Sequence, residues 1–469
     1  MQFSSGVFLM LFLPITLALY KILGRLLGHR VKNLILLAAS LFFYAWGEPI
    51  FIFVFIIGIM INYFLGLKID KYSGAVGKKN IYFVISIIFN VGILFIFKYL
   101  GFVTAELSKI IPIQPIRIAL PIGISFYTFQ IMSYIFDVYY GKVPAQRKLI
   151  NLALYISMFP QLVAGPIVRY SDIEKEINHR TENIELFCDG THRFVVGLAK
   201  KVLIADFLGG AADKIFVTAE YSAIPMVTAW IGAIAYTFEI YYDFSGYSDM
   251  AIGLGKCFGF HFKENFNYPY ISCSVTEFWK RWHISLTDWF RDYIYIPLGG
   301  NRVSSKRHII NLFIVWLLTG IWHGAEWTFI IWGMMYFFVQ LFEKQTQVMN
   351  RLPKFAGYFI TMLIVIVGWT IFKASNVSSA MMYLKCMFGF GNGIVDADTI
   401  MYIRSTVMLF VISYIGSFPI GRIIRLKVGD TKFTRFIDTL RIPTAVILLV
   451  MCMFIIINGS YSPFIYFNF

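Results

Sequence analysis

Apolar runs close to the length of a lipid crossing recur along the whole chain, and this limits its fold more than any other feature. A crossing helix needs about 20 mostly apolar residues. Within hydrocarbon its backbone groups must be satisfied inside the segment, which a helix does unaided. Candidate runs lie at 8–22, 33–46, 50–67, 82–100, 149–168, 194–207, 225–242, 309–340, 355–372, 401–420 and 443–457. They predict about ten to twelve spans, some of them short. Charged residues make up 14% of the 469 residues, against about 25% in soluble domains. No polar stretch is long enough to fold separately, so one all-α, polytopic membrane domain over 1–469 is expected.

The net charge of +15, from 41 basic and 26 acidic residues, would suggest nucleic acid in a soluble chain. Here it sits in short loops between apolar runs, and no basic stripe with interleaved aromatics is present, so nucleic acid is not an expected partner. Lys21, Arg25, Arg30 and Lys32 follow the first run with no acidic residue, and Lys68, Lys71, Lys78 and Lys79 follow the third with only Asp70 opposing. The turn between them, Gly47, Glu48 and Pro49, has no Lys or Arg. The alternation puts the basic loops in the cytoplasm and the N-terminus outside a cell membrane. Arg422, Arg425, Lys427, Lys432, Arg435 and Arg441 precede the last run, so residues 461–469 are expected outside as well. The first basic residue, Lys21, comes only at the end of the first run and no small-x-small site follows, which predicts an uncleaved span.

Two regions break the pattern. Leu120–Phe126 is apolar but opens with Pro121 and Gly123. Residues 262–308 are charged yet hold Trp279, Trp282, Trp289, Tyr293 and Tyr295, too polar for a straight span. Irregular backbone at membrane depth survives when buried in protein or lining a water-filled cavity; an interfacial helix anchored by aromatics is the other reading.

Of seven histidines only His323 falls inside a long apolar run. An ionisable residue there is a functional candidate, although a histidine that only bonds a neighbouring helix is the structural alternative. Gly320 and Gly324 bare one helical face beside it, where a second backbone or a substrate can approach, and Trp322 and Trp327 flank it. His283 lies in the aromatic segment, and a histidine pair can divide base and oxyanion-donor roles. Asp243 and Asp249 are read as structural. No phosphate-binding G-x-x-x-x-G-K-[ST], no H-E-x-x-H and no G-x-S-x-G occurs, which removes ATP-driven pumping, zinc hydrolysis and the serine-hydrolase elbow. No resident cofactor or metal is expected. The five scattered cysteines read as single buried thiols.

Five segments together resemble the membrane-bound O-acyltransferase family, in its alginate O-acetylation branch: LPIGISFYTFQ from Leu120, FPQLVAGPIVRY from Phe159, EFWKRWHISLTDWFRDYIYIPLGGNR from Glu277, TGIWHGAEWTFIIWG from Thr319 and YSPFIYFNF from Tyr461. The resemblance implies a ring of about eleven transmembrane helices around a thinned centre pierced by a tunnel. It implies that His323 and His283 are the catalytic histidines, with Trp279, Trp282, Trp322 and Trp327 as candidate tunnel residues. It further implies acetyl transfer from cytoplasmic acetyl-CoA (or an acyl carrier) to an extracytoplasmic SGNH-type partner, and on to a polysaccharide such as alginate, cellulose or peptidoglycan. No coenzyme-binding residue is singled out. D-alanyl transferases of teichoic acid synthesis share the FW-x-RWH core and diverge after WFRDY; here Ile296-Pro297-Leu298-Gly299-Gly300-Asn301-Arg302 follows, as in the polysaccharide type. On this reading His323 is the base, while His283 or nearby indole and backbone N–H groups meet the oxyanion. A transporter predicts that substrate movement survives loss of His323, and a non-catalytic assembly subunit that both histidines are dispensable. No internal repeat supports the transporter.

Overall fold

The computed structural model describes residues 1–429, 431–459 and 464, and among these the chain is helical without a strand. Among the described residues six helices are long and apolar enough to cross a bilayer: Phe8–Leu27, Phe51–Lys71, Val76–Ser108, Lys354–Lys373, Ala397–Gly416 and Lys432–Asn458. Their outward faces carry large exposed hydrophobics such as Phe53, Ile88, Phe355, Met408 and Phe454. Contiguous apolar surface of that extent is unfavourable in water and favourable against lipid.

The other apolar runs take different forms. The 149–168 run is not a span: a helix at Leu149–Ser157 stops at Met158, one turn follows at Phe159–Leu162, and the chain to Arg169 is not helical. Pro160 is the cause, since its ring would strike the carbonyl four residues back in a continuous helix. The 309–340 run is two helices, Ser305–His323 and Trp327–Thr346, parted at Gly324, which is fully extended (φ −170°, ψ 162°). The 194–207 and 225–242 runs lie within longer helical stretches, Ile184–Tyr221 with a π-helical turn at Lys200–Ala205, and Met226–Cys257. Among the helices outside the sequence runs is Ile124–Tyr139, in which every residue from Ile124 to Val138 is buried. Pro121 and Gly123 only lead into it: Gly123 sits in the left-handed region (φ 75°) as its N-cap, where a Cβ would meet the Leu162 carbonyl oxygen at 3.1 Å. Residues 262–308 do avoid a straight crossing, forming the short helices Val275–Arg281 and Ile284–Phe290 and a π-helical turn at Arg291–Tyr295. Cys188 is exposed and Cys273 partly so, contrary to the expectation of buried thiols; Cys257, Cys386 and Cys452 are buried. The 461–469 segment, apart from Phe464, lies outside the described residues.

The chain divides into two compact units. The first comprises Met1–Val195, Tyr247–Lys263 and Met453–Phe469. In it Asn62, Ser86 and Asn90 bond one another between Phe51–Lys71 and Val76–Leu94, with Asn90 Nδ2 donating to Asn62 Oδ1 at 2.7 Å. Such contacts hold helices together where the hydrophobic effect no longer discriminates. Glu182 gathers Tyr20, Lys21 and Lys32; burial alone would raise its carboxyl pKa, but these donors outweigh that and leave it below its ordinary value.

The second unit, Val196–Gly246 and Glu264–Cys452, holds both candidate histidines. In it Ser305–His323 packs closely against Trp327–Thr346. A Cβ on Gly320 would lie 2.6 Å from the Phe329 carbonyl oxygen, and one on Gly333 only 2.7 Å from that of Trp316. The bare glycine face of Gly320 is therefore filled by a neighbouring backbone. We predict that Gly320→Leu destabilises the protein by about 1–3 kcal/mol or more, read as a lower thermal midpoint in detergent; an unchanged midpoint would contradict this packing.

Candidate active site

The site forms where helices end. His323 is the last residue of Ser305–His323, and the extended Gly324 turns the chain away. Its imidazole meets three aromatic rings: Trp322 at 4.9 Å, Trp332 at 5.0 Å and Phe372 at 5.2 Å between centroids, all nearly edge to face. It is 3% exposed. An imidazole here stays in place through ring contacts and close packing.

His283 lies between Val275–Arg281 and Ile284–Phe290, in the left-handed region (φ 43°, ψ 54°). A residue with a Cβ pays about 1–2 kcal/mol for that conformation. Asn265 holds the turn: its carbonyl oxygen accepts from Ile284 N at 2.9 Å, and its Oδ1 accepts from Ser285 N at 3.2 Å and Ser285 Oγ at 2.9 Å. Strain held in this way is characteristic of functional positions. Upstream, Ser274 caps Val275–Arg281, and Glu343 brings a buried carboxylate to the same helix start, accepting from Val275 N at 2.7 Å and Thr276 N at 2.9 Å. The anion complements the positive end of the helix and satisfies its free amides.

The two imidazoles share a neighbour. Trp322, which contacts His323, lies 6.1 Å from His283, while Phe244 meets His283 edge-on at 4.6 Å. Phe244 is held by the residue before it: Lys201 Nζ bridges Asp243 at 2.6 Å and Asp206 at 2.7 Å, fixing Met226–Cys257 against the preceding helix. That supports the structural reading of Asp243.

Around the histidines stands an aromatic cage. Trp279 contacts Trp332 at 5.5 Å and Tyr336 at 4.9 Å, and Trp282 contacts Trp369 at 4.8 Å. Trp279, Trp282, Trp322, Trp332, Tyr336 and Trp369 are all buried. Among the described residues no protein acceptor lies within reach of the Trp279 Nε1, Trp332 Nε1 or Tyr336 Oη groups. Of the four tryptophans expected at a tunnel, Trp279, Trp282 and Trp322 join the cage, whereas Trp327 is 48% exposed at the head of its helix. Sequence reasoning missed Trp332, Trp369, Phe372 and Asn265. Trp332 lay within the TGIWHGAEWTFIIWG segment nine residues beyond His323, a signal that could have found it; Asn265 gave none. No cluster of metal ligands occurs among the described residues.

His283 lies outside the six apolar spans, and burial pushes its pKa well below the ordinary histidine range. The folded protein therefore keeps it neutral at pH values where the unfolded chain, near pKa 6.5, takes up a proton. Stability falls as pH drops below about 6.5, by up to about 1.4 kcal/mol per pH unit for this one group. We predict that the thermal midpoint of wild type falls more steeply from pH 7 to pH 5 than that of His283→Gln. Parallel slopes would contradict a neutral buried His283.

The family model for MBOAT, the membrane-bound O-acyltransferase family, matches residues 142–384, which include His283 and His323. A protein of Pseudomonas putida named as a probable alginate O-acetylase, AlgI, is 40% identical over the whole of both chains. That of Pseudomonas aeruginosa is 46% identical over 83% of this chain and 75% of its own length. The peptidoglycan O-acetyltransferase of Helicobacter pylori is 33% identical over 100% of this chain and 97% of its own.

Proposed function

The chain belongs to the membrane-bound O-acyltransferase family, and from that premise we propose that this multi-pass membrane acyltransferase moves acetyl groups from cytoplasmic acetyl-CoA to the O-acetylation of an extracytoplasmic polysaccharide. The observation that carries the proposal is the placement of His283 and His323 against one buried indole, Trp322, inside an aromatic cage. Relatives named for O-acetylation of alginate and of peptidoglycan support acetyl as the group and a sugar polymer as the final acceptor.

Transfer from a thioester to a hydroxyl breaks the acetyl C–S bond and forms an acetyl C–O bond. The hydroxyl proton ends on the leaving sulfur. A neutral imidazole at His323 is suited to take that proton as the hydroxyl attacks, a contribution of about 10²–10⁴-fold. The carbonyl oxygen becomes an oxyanion and needs N–H or O–H donors aimed at it in a water-poor site. The indole N–H groups of Trp279 and Trp332 and the Tyr336 hydroxyl are buried donors of this kind. In this reading a ring of about eleven helices encloses the site and a tunnel joins the two faces. The basic loops at Arg25–Lys32 and Lys68–Lys79 are cytoplasmic, both termini are outside, and an SGNH-type partner receives the acetyl group.

The test is acetyl transfer by membranes supplied with labelled acetyl-CoA on the cytoplasmic side and carrying a co-expressed partner. His323→Ala is expected to reduce transfer by at least 10²-fold at equal abundance. Transfer at the wild-type rate would overturn the assignment.

A further inference from the structure

Asn265 sits in the non-helical stretch before Val275–Arg281 and is 1% exposed. Three groups converge on its Oδ1: Ser285 N at 3.2 Å, Ser285 Oγ at 2.9 Å and His283 Nδ1 at 3.1 Å. A backbone N–H only donates, so the side-chain atom that faces Ser285 N must be the amide oxygen and not the NH₂ group. An amide oxygen only accepts. His283 Nδ1, on that same oxygen, must therefore carry a hydrogen.

From this geometry we infer that Asn265 is a positioning residue that fixes His283 as the Nδ1–H tautomer, so that its Nε2 enters the reaction as a hydrogen-bond acceptor and not as an oxyanion donor. The inference rests on the reading of His283 as part of the catalytic site. A neutral imidazole has one N–H and one lone pair, and the partner of the first nitrogen decides which is left at the second. His283 is 1% exposed and its ring is held edge-on by Phe244, so the nitrogens cannot exchange places by a ring flip without leaving Asn265. The clamp on Ile284 N and Ser285 N sets the backbone in the one turn that aims Nδ1 at this oxygen. The division of labour expected from sequence, with His283 as one choice of oxyanion donor, is thereby narrowed. The oxyanion falls to other donors, such as the buried indole N–H groups of Trp279 and Trp332. His283 instead accepts a hydrogen bond from the attacking hydroxyl, whose proton passes by way of His323 to the leaving sulfur.

The test joins spectroscopy to kinetics on the full chain in lipid nanodiscs. In protein labelled with ¹⁵N-histidine, the His283 signals are identified by their loss in His283→Gln. A protonated Nδ1 and an unprotonated Nε2 are expected; the reverse pattern would overturn the inference whatever the activity. In transfer assays Asn265→Leu, which removes the acceptor, is expected to lower kcat by about 10²–10⁴-fold with little change in KM, the scale seen when an orienting acceptor is altered so that the wrong tautomer forms. Asn265→Asp keeps an acceptor and is expected to recover most of that loss. It also favours the imidazolium, so the acid limb of its pH–rate profile moves to higher pH. An Asn265→Leu variant as fast as wild type would overturn the positioning role. Wild-type transfer by His283→Gln would instead remove His283 from the reaction while leaving the tautomer result standing, so the two failures are distinguishable.

Discussion

A helix that ends away from water leaves backbone groups that must find partners inside the protein, and the site in this chain depends on how two such endings are satisfied. Ser305–His323 stops at the buried Gly324, and the chain then runs out to the exposed Glu326 and Trp327 before the next helix begins. Between Val275–Arg281 and Ile284–Phe290 it turns again through His283. Glu343 and Ser274 supply acceptors to the first of these short helices and Asn265 to the second. Helix breaks that would be excluded from lipid become affordable once buried and capped. They also present imidazoles from chain ends, free of the helix cylinder that would otherwise shield them.

The surroundings do the electrostatic work. Six buried aromatic side chains exclude water from the histidines, and a water-poor site disfavours the charged imidazolium. It also strengthens any N–H donor aimed at a developing negative charge. A cage of Trp and Tyr gives both effects at once, because each ring brings a large apolar surface with a single polar edge. The glycine contact between Ser305–His323 and Trp327–Thr346 supports this from behind. Gly320 and Gly333 let the two backbones touch, which brings Trp332 up to His323.

Much of this was legible in the sequence, unevenly. His323 was visible because an ionisable residue in an apolar run is costly, and His283 because of the aromatic segment around it. The membrane class followed from run length and charge. The span pattern was less legible: hydropathy does not distinguish a helix from a broken run, so the Pro160 and Gly324 interruptions were read through. Ile124–Tyr139 was missed for the opposite reason, because Pro121 and Gly123 at its start masked a helix buried along nearly its whole length. Asn265 could not have been found by spacing. It reaches His283 across 18 positions, through a turn whose shape depends on the contact itself. Trp327 stands four residues from His323 and is 48% exposed at the head of its helix.

The central claim is that His283 and His323 act on one reacting centre, and non-additivity tests it most directly. Residual acetyl transfer would be measured for His283→Gln, His323→Gln and the double variant at equal abundance. Residues that serve one step as a unit lose their joint contribution when either is removed. The account predicts a double variant no slower than the slower single one. Effects that multiply, with the double variant slower by the product of the two single losses, would show two independent roles and contradict it.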